Sequence, residues 1–323
     1  MPKTVSVDFD QQVVAEGLLI RVDVTHTGVH GRMPGTIPLE FLHAGDAQSP
    51  EPLVLDGYLL VVLLFAMGGA TRLQVNGPLS AKAIRNAHLL AEVWHCWQPS
   101  TYGPLEVSSE KTYTEPELLE LRSNLPRNGR SIAAFSGGLD STFTAIRHAS
   151  RQLGTGSHNL KDLVMVHGFD VSLDKPQHFN ELLDRTAPLI EDLGVQLHVV
   201  RTNIKDVLAH NWEQVFASQL ACVLHQFSHE FEYGLIASGA ILTKPDVAWG
   251  SSPQTDYLLS GGSMDIVHDG AAFSRTKKAT LIAKNSFARK SVKVCWQGAE
   301  QGQNCGVCEK CVRTQLNFLA AGV

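Results

Sequence analysis

SIAAFSGGLDSTFTA, residues 131–145, is a short apolar run that breaks at Ser136-Gly137-Gly138 and restarts with helical spacing. SIAAF has the composition of a buried strand. Beyond the glycines, Leu139, Phe143, Ile146, Ala149 and Leu153 fall three or four positions apart and line one face of a helix. A strand that turns through glycines into a helix leaves the first N–H groups of the helix unpaired and lets them converge, because glycine has no Cβ to keep a ligand away. The helix dipole draws an anion to that mouth, and the hydroxyls of Ser136, Ser141 and Thr142 add donors. Asp140 runs against this pattern: a carboxylate there repels an anion, so it is expected to cap the helix or to help hold Mg2+.

The alternation continues downstream. DLVMVH (162–167), VQLHVV (195–200) and YGLIAS (233–238) read as strands. Between them lie a helix carrying Phe179, Leu182, Leu189 and Leu193, ended by Gly194, and a second over 211–227 carrying Val215, Leu220 and Leu224. Residues 239–270, rich in Gly, Ser, Pro and Asp, read as a long binding loop. A short helix around 277–284, a strand near SVKVC (291–295) and a helix over 309–321 close the chain. Strands alternating with helices predict an α/β fold with a parallel sheet over 131–323. Residues 1–110 contain β-like runs (GLLIRVDV, TRLQVN) and a helix over 80–97 that includes the WHCW cluster, and are expected to form a smaller, separate α+β domain. The polar, proline-containing stretch 111–130 is expected to connect the two.

With 32 acidic and 27 basic residues the chain carries a net charge of −5, which gives no footprint for a nucleic-acid backbone; a small-molecule or protein partner fits better. The apolar run 58–67 is too short to cross a bilayer and reads as a buried helix or strand, so no membrane partner is expected. The opening MPKTVSVDFDQQVVAEG lacks the apolar core of a signal peptide and contains acidic residues, so a cytoplasmic location is expected. A homodimer is compatible with the sequence, which contains nothing that tests it.

Four of the six cysteines cluster as Cys295-x9-Cys305-x2-Cys308-x2-Cys311, while Cys96 and Cys222 stand apart. In a cytoplasmic chain such a cluster indicates metal rather than disulfides. Four thiolates at this spacing can close around one tetrahedral Zn2+, with Gly306 making the tight turn and Lys310 and Arg313 offsetting the charge; an iron–sulfur cluster is the alternative. A closed four-thiolate site has no open position for chemistry, so its role is structural.

The string Ser136-Gly-Gly-Leu-Asp-Ser141 resembles the pyrophosphate (PP) loop of the N-type ATP pyrophosphatases. Together with the cysteine string it makes residues 131–323 similar to the 7-cyano-7-deazaguanine synthase (QueC) family; the extra N-terminal part resembles QueC-like branches in antiphage defence operons. The resemblance implies an adenine-nucleotide-hydrolase-like five-stranded parallel sheet with helices on both faces and ATP at the carboxyl ends of the strands. It implies adenylation of 7-carboxy-7-deazaguanine, release of pyrophosphate, and attack by ammonia to give an amide, which a second ATP activates for loss of water to the nitrile, or attack by a protein amine to give an amide-linked deazaguanine–protein conjugate. The N-terminal part could then recognise the protein acceptor. The chain departs from the family where HGFDVSLD (167–174), AWGSSPQTDYLLSGG (248–262) and SRTKKATLIA (274–283) replace its usual strings, which leaves the nucleophile open between ammonia and a protein amine.

The resemblance assigns Ser136, Gly137, Gly138, Leu139, Asp140, Ser141 and Thr142 to ATP, with Ser136, Asp140 and Ser141 catalytic; His167 is added to the ATP site by its place after the second strand and Lys277 to the catalytic set by its charge. His167, Asp170 and Asp174 follow the second strand on the ligand-facing edge, where substrate or Mg2+ would lie. Ser252 and Asp256 are placed to bind the purine edge, since a carboxylate can accept from two guanine-like N–H groups. Arg275, Lys277 and Lys278 are placed to offset charge on the departing pyrophosphate. His225 and His229 have metal-compatible helical spacing but lack the H-E-x-x-H glutamate, and read as surface or packing residues. Two other readings stand beside this one: a tRNA-modifying relative, and a non-catalytic ATP-binding interaction subunit.

Overall fold

A computed structural model describes residues 2–45, 51–125, 127–208, 211–239, 248–295 and 302–323. Among them the strands are β1 (Thr4–Val14), β2 (Gly17–His26), β3 (Gly35–Ala44), β4 (Arg72–Ser80), β5 (Glu106–Tyr113), β6 (Arg130–Ala134), β7 (Asn159–His167), β8 (Gln196–Thr202), β9 (Tyr233–Ala237) and β10 (Asp265–Asp269). The helices are α1 (Asp56–Met67), α2 (Ala81–Trp97), α3 (Glu115–Arg122), α4 (Leu139–Ala149), α5 (Pro176–Leu193), α6 (Ile204–Leu208), α7 (Trp212–His225), α8 (Arg275–Ile282), α9 (Ser286–Ser291) and α10 (Glu309–Ala320). These strands form one sheet in the order β10-β9-β6-β7-β8-β3-β2-β1-β4-β5. From β10 through β9, β6 and β7 to β8 every pairing is parallel. β8, β3, β2 and β1 are then antiparallel neighbours, and β1, β4 and β5 are parallel again. The fold is therefore α/β, a mostly parallel sheet flanked by helices.

Alternation along the strands explains why both faces need cover. In β6, Ile132 and Ala134 enter one core and Ala133 the other; in β7, Val164 and Val166 oppose Leu163 and Met165. One core is completed by α1, α2 and α7, the other by α4, α5 and α8. The apolar run 58–67 lies in α1, which is buried on every side. The one carboxylate of that helix, Asp56, is satisfied by the Ser80 N–H (2.8 Å), the Ser80 hydroxyl (2.7 Å) and the Gly262 N–H (2.8 Å). α1 crosses α7 so closely that a Cβ on Gly57 would lie 2.7 Å from the Cβ of His225.

The sheet corrects the expected separation at residue 110. β3 pairs with β8 through Phe41↔Thr202, Leu42↔Arg201 and His43↔Val200, and one core contains Val5, Leu59, Ile132 and Ile236 together. Residues 1–110 and 131–323 thus share a sheet and a core. The connector 111–130 carries α3, opened by a Thr114/Glu117 capping box. It also carries Arg127, whose guanidinium donates to the carbonyls of Phe231 (3.0 Å) and Ser263.

Two further expectations are corrected. SVKVC is not a strand: Asn285 caps α9, its side chain accepting from the Ala288 N–H at 2.9 Å, and the helix takes in Ser291. The extended residues after it bond to the glycine turn instead of to the sheet, Lys293 N–H donating to the Gly137 carbonyl at 2.8 Å. The expected loop 239–270 contains β10, too short to stand out among glycines and serines; its residues 240–247 lie outside the described ones, as do 296–301 between the first two cysteines. No helix among the described residues is long and apolar enough to cross a membrane.

His225, which for want of a neighbouring glutamate reads as a packing or surface residue rather than a metal ligand, is buried in α7, and its Nε2–H donates to the Leu259 carbonyl at 2.9 Å. Burial pushes its pKa down, as it does for His30, His158 and His167. The unfolded chain therefore takes up protons first as pH falls, so stability is complete above about pH 6.5 and declines below it. Thermal melts are expected to show Tm falling between pH 7 and pH 5, with a shallower fall in His225→Gln.

Candidate functional site

The turn after β6 depends on one left-handed glycine. Gly137 has φ +69°, and a Cβ there would come within 3.1 Å of Thr186 Cγ2 and 3.2 Å of Leu182 Cδ1. Gly138 follows as the N-cap of α4, without a side-chain capping bond, so Asp140 does not cap the helix. Ser136 and Ser141 face each other across the turn, hydroxyls 3.3 Å apart, with the Ser136 N–H donating to Ser141 Oγ at 3.2 Å and the Gly138 N–H to Ser136 Oγ at 3.3 Å. These are long bonds that an oxyanion can replace with shorter, charge-assisted ones.

Asp140, in the first turn of α4, accepts from Arg275 Nη1 at 2.6 Å and Lys278 Nζ at 2.9 Å. Lys278 is only 1% exposed and donates also to the Ser238 carbonyl, so its ammonium is paired and hydrogen-bonded as a buried charge must be. Lys277 is exposed on α8 and does not reach the turn. Of the neighbouring lysines the second is the one brought in, because consecutive helical positions point about 100° apart.

The turn opens into a cavity of about 270 Å³ at the carboxyl ends of β6, β7 and β9. Ser136, Asp140, Ser141 and Asp170 line it, as does Lys310 from the first turn of α10. An aromatic wall closes it: Phe169 meets Trp212 edge-on at 5.0 Å, and Phe216 meets Trp249 edge-on at 6.0 Å. A roomier hollow of about 440 Å³ lies at the amino-terminal ends of β9 and β10, away from the turn. The 270 Å³ cavity is the candidate site because the hydroxyls and charges converge there.

The remaining expected residues are placed differently. Gly137 and Gly138 shape the turn without lining the cavity, and Leu139 and Thr142 are buried beneath it. His167 is stacked on Phe179 at 4.4 Å and bonds the Ser172 carbonyl at 3.0 Å, which holds the 168–172 turn. Asp174 takes the Ser172 hydroxyl, a bond that holds its carboxyl below the usual range. Asp256 is wholly buried, accepting from Ser251 Oγ (2.7 Å), the Ser252 N–H (2.9 Å) and His268 Nδ1 (2.7 Å). Wholly buried, held by three donors and outside the cavity lining, it is not placed to read a purine edge there. Ser252 Oγ lies 2.9 Å from Thr255 Oγ1, also outside the cavity. Ser251 and His268 meet the same oxygen of Asp256, which is not the serine–histidine–aspartate order of a hydrolase.

The sulfurs of Cys295, Cys305, Cys308 and Cys311 all lie within 4.8 Å of one another, with Cys295–Cys308 at 3.8 Å and Cys305–Cys311 at 4.0 Å. Four ligands about 2.3 Å from a tetrahedral zinc stand about 3.8 Å apart, so the residues fit one such ion. A cluster with its own sulfide core would hold them farther apart. Asn304 braces the knuckle: its Oδ1 accepts from the Val294 N–H (2.8 Å) and the Cys295 N–H (3.2 Å), and its Nδ2 donates to the Val292 carbonyl (2.9 Å). Amides of Val307 and Cys308 hold the Cys305 thiol below its ordinary pKa, as suits a metal-binding thiolate. Arg313 pairs with Glu309 at 3.1 Å, whereas Lys310 turns to the cavity.

The sequence did not single out the aromatic wall, although Trp212 and Phe216 stand at i,i+4 on α7; nor did it single out Lys293, buried beside Asp170 and the knuckle. No family model matches the chain, and neither a curated protein nor a solved structure matches it.

Asp140→Ala is expected to destabilise by about 3–5 kcal/mol, because it strands the buried Lys278, while Lys277→Ala stays within about 0.5 kcal/mol in the same urea titration. Elemental analysis is expected to find about one zinc ion per chain, lost in Cys308→Ser.

Proposed function

We propose that the chain is an ATP-dependent adenylating enzyme of the PP-loop type, acting as the QueC-like resemblance implies on a 7-deazaguanine carboxylate. One observation carries the reading. A glycine turn with paired serine hydroxyls opens a cavity at the carboxyl ends of parallel strands, where open α/β sheets bind ligands, and the carboxylate in its mouth is offset by two cations. With Arg275 and Lys278 both held on Asp140, the local charge sums to +1 rather than −1, so the mouth attracts a polyphosphate.

In this reading Ser136, Ser141 and the turn amides grip the β- and γ-phosphates, and the aromatic wall packs against the flat rings of nucleotide and substrate. Asp170 faces the cavity and is the carboxylate available to hold Mg2+, which would offset phosphate charge. The substrate carboxylate oxygen attacks the α-phosphorus and the bond to pyrophosphate breaks. An amine then adds to the acyl carbon, loses a proton and expels AMP. The protein contributes chiefly by holding the carboxylate in line with the α-phosphate and stabilising the departing charge.

Pyrophosphate release from ATP is expected only when 7-carboxy-7-deazaguanine is present, and to drop roughly a hundredfold in Ser136→Ala. Release that ignores the carboxylate, or that Ser136→Ala leaves unchanged, would sink the assignment. Intact mass of candidate acceptor proteins after the reaction separates amide or nitrile synthesis from protein conjugation.

A further inference from the structure

We infer that the cysteine knuckle has a direct part in binding: it delivers Lys310 to the phosphate cavity, so the bound metal sets the site's affinity for polyphosphate. The inference rests on reading that cavity as the triphosphate site. Lys310 stands between Cys308 and Cys311, in the first turn of α10, and its position is fixed by whatever holds those two sulfurs. Among the described residues that line the cavity it is the one cation, beside two carboxylates, Asp140 and Asp170. Arg275 and Lys278 are committed to Asp140 and do not line the cavity. Since those two already offset Asp140, Lys310 is the charge that offsets Asp170 at the cavity and adds to the pull on a polyphosphate.

A second link ties the knuckle to the turn itself. The Lys293 N–H donates to the Gly137 carbonyl at 2.8 Å, and two residues later Cys295 enters the metal cluster. Asn304 clasps both ends of this span through the Val292 carbonyl and the Cys295 N–H. The segment leading into the knuckle also rests on α5: a Cβ on Gly302 would come within 2.6 Å of Glu181 Oε2 and of the His178 carbonyl. The knuckle is therefore tied both to α5 and to the turn, and its Lys310 lines the cavity.

The test is calorimetric titration of the full chain with ATP, and separately with inorganic pyrophosphate, in four states: zinc-loaded and chelated, wild type and Lys310→Met. Loss of a charge-assisted phosphate contact is expected to weaken binding by at least about tenfold in loaded Lys310→Met. Chelation should weaken wild type by a similar factor and leave the variant almost unchanged, since both remove one interaction. Lys310→Arg, which keeps the charge, should recover most of the affinity. Cobalt-substituted wild type should change its thiolate–cobalt absorption when pyrophosphate is added, a readout that survives should the metal-free chain unfold, and cobalt Lys310→Met should not. Equal affinities of loaded wild type and Lys310→Met, or equal and additive losses on chelation, overturn the inference while leaving the site assignment intact. Failure of loaded wild type to bind either ligand overturns the site assignment itself.

Discussion

A buried ammonium needs a counter-charge, and Lys278 finds one in Asp140. Most of the site follows from that requirement. The pair joins α8 to the first turn of α4, while the bond from Lys278 to the Ser238 carbonyl joins both to the end of β9. Arg275 adds a second donor to the same carboxylate. Three segments far apart in sequence are thus held at the mouth of one helix by a charge cluster in which each member would be costly alone. The glycine turn keeps its shape because its surroundings cannot move without breaking that cluster.

The helix mouth is presented to solvent only because the rest of the sheet is covered. Both faces of β6 and β7 are buried, and the open end of the parallel set is where side chains meet without filling space. Two of the four rings of the aromatic wall come from α7, which is pressed against α1 at Gly57. The N-terminal half therefore supports the cavity wall without lining it.

The strand–turn–helix at residues 131–145 was legible because two local signals agree there, an apolar run broken by glycines and a three-to-four spacing after them. The cysteine knuckle was legible because its ligands are neighbours in sequence. Choosing between Lys277 and Lys278 required the buried face of a short helix; Lys278 stands four residues before the buried Ile282, a signal that was present but faint. Asp256 looked available because sequence shows a carboxylate in a polar loop and cannot show the three donors that fold onto it. The continuity of the sheet was out of reach for a different reason: the strands that join the halves, β3 and β8, lie about 160 residues apart, and nothing in either names its partner.

That junction bears on how the molecule behaves in a crowded solution. A five-stranded parallel unit ending at β8 would leave a row of bare amides and carbonyls along QLHVVRT, a template for pairing with other chains. β3 occupies that row, and the strands added beyond it move the outer boundary to β5, EVSSEKTY, a polar strand with Glu110 and Lys111 side by side. At the other boundary β10 is five residues long and carries Asp265, His268 and Asp269. The N-terminal strands thus exchange a sticky margin for a charged one, and a version trimmed to residues 131–323 would lose solubility before it lost any group that lines the cavity.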